Sequence, residues 1–128
     1  MTIFLIVVAA VHALFMICEL FPWSSPLLLG IVSKKLPDLP AGARGTESPK
    51  WSKEQQPLVA TIVHNAGIYN GIVAGGLMWA AATGDVNVAR VMLAGAAVAG
   101  TFGTATLKSP VTAVQALLGI AGLFLLNR

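Results

Sequence analysis

Residues 61–76 read TIVHNAGIYNGIVAGG. His64, Asn65, Tyr69 and Asn70 stand close together, threaded by Gly67, Gly71 and Gly75. The stretch lies inside an uncharged run that begins after Glu54 and ends at Asp85. Such a run is long enough to cross the ~30 Å hydrocarbon layer of a bilayer, which takes roughly 17–25 helical residues. Polar side chains at that depth cost free energy unless they find partners. The stretch therefore poses two problems: the fold of a chain built from such runs, and the use of polar groups inside them.

Three further uncharged runs lie before Glu19, between Arg90 and Lys108, and between Lys108 and Arg128. Of 128 residues, 56% are hydrophobic and 10% charged. Soluble domains carry about a quarter charged residues. The expected fold is all-α, an integral membrane four-helix bundle forming a single domain. Its helices are expected at about 2–22, 57–82, 88–107 and 109–127, with a loop at roughly 23–56. The first run has no basic n-region and contains His12 and Glu19, which argues for a retained helix over a cleaved signal peptide. Cys18 is the single cysteine, so no internal disulfide can form.

The net charge of +3 follows membrane topology. Lys34, Lys35, Arg44, Lys50 and Lys53 lie in the long loop, and Lys108 lies between the last two helices. The positive-inside rule then makes these two connections cytoplasmic and puts both termini outside, with the bacterial inner (plasma) membrane as the expected location. The partner so implied is the lipid bilayer and not nucleic acid. The loop is broken by Pro26, Pro37, Pro40 and Pro49, which oppose regular structure. Its apolar PLLLGIV segment suits an interfacial position. Trp23, Trp51 and Trp79 stand where interfacial aromatic anchors are expected. Thr83-Gly84-Asp85 reads as a turn, and Ser109-Pro110 as an N-cap followed by a first-turn proline.

Gly67, Gly71 and Gly75 recur every four positions, as do Gly95, Ala99 and Gly103. Association within lipid relies on close approach at small residues. Helices two and three are thus expected to form the packed centre or the contact of a homo-oligomer.

On helix one, His12, Met16, Glu19 and Trp23 form a narrow stripe, at ~100° per residue. A carboxylate in hydrocarbon must pair, take up a proton or reach an interface. On helix two, measured from His64, Asn65 lies at roughly 100°, Tyr69 at roughly 140° and Asn70 at roughly 240°. A helix polar around so much of its circumference is expected to be surrounded by other helices or to line a cavity. Gln115 on helix four and Thr101, Thr104 and Thr106 on helix three add to the set. Interhelical hydrogen bonds in membranes return only ~0.6 kcal/mol each on average, so this many polar groups suggests a site. The candidate catalytic groups are Glu19, Tyr69 and Asn70. His12, Asn65, Gln115 and Trp23 are the candidate ligand-binding groups. The bland alternative is that these side chains only fix helix register.

HALFMICELFPW, NAGIYNGIVAGGLMW and AGTFGTATLKSPVTAVQALLGIAGL, taken in order, resemble a family of small four-helix membrane proteins known as a domain of unknown function, number 1304. Asn65, Gly67, Tyr69, Asn70 and Gly71 match the family's pattern; Ala66 stands where it has glutamine, and the loop is longer than usual. The resemblance implies fold and membrane location, without an established activity. One helix also resembles the styrene oxide isomerases, through His64 followed six positions on by Asn70 and Gly71. That likeness implies haem b as cofactor, with His64 as axial ligand of the iron and Asn70 beside a lipophilic epoxide; the iron would act as Lewis acid.

No CxxC or HExxH spacing, phosphate-binding loop or GxSxG elbow occurs. Three functions remain open. One is an intramembrane site for a small lipophilic molecule, with isomerisation as its chemistry. The second is transport or permeation, with Glu19 and His12 relaying protons or meeting a cation. The third is a structural or accessory membrane protein.

Overall fold

The computed structural model describes residues 1–21 and 55–128. Most of the expected loop 23–56, including Trp23 and Trp51, lies outside the described residues. Four helices follow one another: α1 (Thr2–Leu20), α2 (Gln55–Thr83), α3 (Val86–Leu107) and α4 (Pro110–Leu126). Among the described residues there is no strand. The all-α four-helix expectation is met, and each helix end falls within a few residues of its expected place. Residues 2–20, 57–83 and 86–107 form helices long and apolar enough to cross a membrane; α4 is apolar but shorter, at 17 residues.

The helix ends follow from local chemistry. Thr83 closes α2, its hydroxyl donating to the Trp79 carbonyl at 2.8 Å. Gly84 then takes φ +74, the left-handed region open to glycine. Asp85 caps α3, its Oδ1 accepting from the backbone N–H of Asn87 and Val88 at 3.0 and 3.1 Å. Such caps are worth about 1 kcal/mol. At the other turn Lys108 adopts φ 49, which costs a side-chain-bearing residue about 1–2 kcal/mol. Its N–H donates to the Thr104 carbonyl, and Pro110 starts α4 where a missing N–H does no harm. Ser109 occupies the N-cap position with extended backbone but makes no side-chain cap bond.

The helices pack as two antiparallel pairs, α1 with α2 and α3 with α4, joined by a narrower α2–α3 contact. Leu5, Val8 and Ala9 of α1 meet Leu77 and Ala80 of α2 and Ala89 and Leu93 of α3 in one apolar core. This core sits at the end where α2 turns into α3. The polar side chains of α1 and α2 lie toward the other end.

The glycines serve different contacts from those expected. A Cβ on Gly67 would meet Leu20 at 3.1 Å and Glu19 at 3.2 Å, and one on Gly71 would meet Met16 Sδ at 2.6 Å, so α2 offers these glycines to α1. Gly75, third in that series, has nothing within 4 Å. On α3 the buried face runs through Leu93, Ala96, Ala97, Gly100 and Gly103, against α4, while Gly95 and Ala99 are exposed. Spacing alone identified small residues; the rotation of each helix decided which of them pack.

Candidate functional site

His12, Met16 and Glu19 of the α1 stripe face inward. His12 is fully buried, at 0% exposure. Its Nδ1 lies 2.9 Å from the Val8 carbonyl oxygen, one turn earlier on the same helix. A carbonyl only accepts, so Nδ1 carries the proton in this bond. In the neutral ring Nε2 then presents a lone pair, and the Gln115 amide donates toward it from 3.4 Å, beyond the usual hydrogen-bond range. Phe15 leans on the ring with centroids 5.9 Å apart.

Two turns further along, Glu19 is half-buried and turned toward α2. Asn70 Nδ2 donates to Glu19 Oε2 at 2.8 Å. This bond joins residues far apart in sequence and fixes α1 against α2. The local sequence makes it reachable: Gly67 and Gly71 remove the side chains that would hold the two helices apart on either side of Asn70. Met16, between His12 and Glu19, fills the space over Gly71.

His12 with Gln115 and Glu19 with Asn70 thus form two polar pairs along one face of α1. The other candidates stand elsewhere. His64, Asn65 and Tyr69 are exposed on the outer face of α2, Tyr69 at 61%. Expected to line one site with the interior groups, they are turned away from it, because α2 gives its Gly67–Ala74–Leu77 side to the bundle. Trp23 lies outside the described residues. Thr104 and Thr106 donate to the Gly100 and Phe102 carbonyls of their own helix, at 2.7 and 2.9 Å, and the Thr104 hydroxyl also lies 3.3 Å from that of Thr112 on α4, away from the α1–α2 seam. The residue that sequence reasoning passed over is Val8. Its carbonyl sits four positions before His12, where a helical side chain finds a backbone acceptor, and that spacing was the available signal.

The haem reading needs His64 at the iron and Asn70 at the substrate the iron holds. Within one chain they do not share a site: His64 projects from the outer face, whereas Asn70 is bonded to Glu19. Among the described residues no group of three or more His, Cys, Asp or Glu could hold a metal ion.

A four-helix all-α protein, with three helices of membrane-crossing length and a polar seam between the first two, is the class this architecture defines. The family described as Protein of unknown function (DUF1304) matches residues 38–127, more than half of the chain, and the protein belongs to that family. The match covers α2, α3 and α4; α1, with His12 and Glu19, lies before it. No curated protein and no solved structure matches the chain, so the likeness to styrene oxide isomerases gains no support.

Proposed function

We propose that the chain is embedded in a membrane and holds, between α1, α2 and α4, a polar site for a small lipophilic molecule bearing a hydrogen-bonding group. The distribution of charge argues for an orientation with both termini outside. One observation carries the reading: the Glu19–Asn70 bond is half-buried, at the edge of the α1–α2 seam and not sealed within it. A carboxyl group serving only to hold helices together gains most when fully enclosed by partners. Here the carboxyl and the amide remain within reach of a molecule arriving from the lipid. Met16 and Leu20, flexible side chains facing Gly71 and Gly67, are the groups that would move to admit it. Transport by a His12–Glu19 relay is less well served, because the two lie two turns apart and hold separate partners.

The test uses a long-chain alcohol carrying a photoreactive diazirine, added to the purified full chain in mild detergent and mapped by mass spectrometry after illumination. Labelling should concentrate on α1 and α2 around Glu19, fall on adding unlabelled alcohol, and drop in Glu19→Gln and Asn70→Leu. Even labelling of all outward-facing positions, with no competition, would sink the binding reading and leave a structural role.

A further inference from the structure

Of the three helices long enough to cross a membrane, α2 is the least apolar and also the least buried: 11% of its membrane-length window is covered, against 22% for α1 and 28% for α3. Lipid favours the reverse order, with the most polar helix the most enclosed. The exposed side of α2 carries His64, Asn65, Ile68, Tyr69, Ile72 and Gly75, whose spacings of three and four place them on one face. The outer faces of the other helices are different. Val91, Val98 and Phe102 on α3 and Leu117, Ile120 and Phe124 on α4 are apolar and suit hydrocarbon. The hydrogen bond from α2 to another described helix comes from Asn70, so no described helix partners the polar groups of the outer face, and something else must meet them.

We infer that this something is a second copy of the chain, α2 packing on the partner's α2 about a two-fold axis. The face is complementary to itself. An asparagine amide and a neutral imidazole each carry both a donor and an acceptor, so the same residue from two copies can give and take a bond across the axis. Gly75 permits the approach. A Cβ there would meet nothing within 4 Å among the described residues, so its missing side chain leaves room for a neighbouring helix to approach. The pairing gives His64, Asn65 and Tyr69 a role that the interior site does not use. It rests on the membrane reading proposed above, though not on the ligand.

The experiment is disulfide cross-linking of the full chain in its own membranes, with Cys18→Ser as background. Single cysteines are placed by Ile68→Cys and Ile72→Cys on the proposed face and by Val98→Cys on α3. Resistance of the chain to alkaline extraction is measured first, so that loss of the membrane reading is seen separately. Oxidation should give a band of twice the monomer mass for Ile68→Cys and Ile72→Cys and little for Val98→Cys. Asn65→Leu should weaken pairing about threefold for each interhelical bond lost, thus about sevenfold for two. Gly75→Leu should abolish pairing while leaving the subunit folded. An embedded chain that gives no cross-link at Ile68 and Ile72, or equal cross-linking at Val98, would overturn the inference. So would higher ladders in place of a dimer, or pairing undiminished by Gly75→Leu.

Discussion

The two helix pairs are held together by contacts of different hardness. Between α3 and α4, Gly100 and Gly119 face backbone, while Gly103 and Gly122 face the side chains of Thr112 and Leu93. A Cβ on Gly119 would lie 2.5 Å from the Ala97 nitrogen and 2.7 Å from the Leu93 carbonyl oxygen, and one on Gly100 would meet the Ala116 backbone and, at 2.8 Å, the Thr112 oxygen. Between α1 and α2, Gly71 faces the end of Met16, and Gly67 faces the Leu20 side chain and the Glu19 Cβ, none of them backbone. Backbone cannot yield without moving a whole helix, whereas a thioether can rotate away. One pair is therefore a fixed pillar, and the other can adapt. The polar seam belongs to the pair that can adapt, which is where a ligand could be admitted without breaking the fold.

The largest effect should come from challenging the pillar. Gly119→Ala forces α3 and α4 apart along their length, and about 3 kcal/mol or more of stability should be lost, at the upper end of what overpacking costs. Unfolding in graded SDS, followed by circular dichroism, measures it. A cost below about 1 kcal/mol would mean that the α3–α4 contact is as soft as its counterpart.

Asn70→Leu ranks next. It removes the donor to Glu19 and leaves a carboxyl at the seam with no partner among the described residues, a loss of about 1–3 kcal/mol. Adding Glu19→Leu to it should recover part of that loss, since two apolar groups can share the space left by a bonded pair. If the double variant is destabilised by the sum of the two single losses, the residues are not coupled and the seam is held together by something else.

The sequence disclosed the helices, their turns and the alignment of His12 with Glu19. Each rests on signals internal to one segment: charge-free length, a Gly-Asp or Ser-Pro punctuation, or a spacing of three and four. It did not disclose which face of α2 or α3 looks inward. In helices apolar nearly all round, the pattern of hydrophobicity carries little directional information, and rotation is settled only by what packs opposite. For that reason the pattern does not assign Asn70 to Glu19, and it groups His64, Asn65 and Tyr69 with interior residues from which the structure turns them away. The Gly95–Ala99–Gly103 series misled for the same cause: Gly103 faces Thr112 on α4, while Gly95 looks outward.

Smaller effects sharpen the contrast from the adaptable side. Gly71→Ala puts a methyl group 2.6 Å from Met16 Sδ, a clash that a rotamer change of Met16 relieves, so the cost should stay under about 1 kcal/mol. Equal losses in Gly71→Ala and Gly119→Ala would erase the distinction between the two pairs.

Smallest of all is Gly95→Ala, where the added methyl meets nothing within 4 Å. Glycine inside a helix costs up to about 1 kcal/mol relative to alanine, so this variant should be neutral or slightly more stable. Its value lies in what a loss would say. Ala99 shares the same exposed side of α3, and a destabilisation there would have no source among the described residues. It would place a neighbouring copy on α3, in competition with the face of α2 that carries His64 and Asn65. A stability that holds or rises in Gly95→Ala, beside an association lost in Gly75→Leu, would assign one glycine to lipid and the other to the partner.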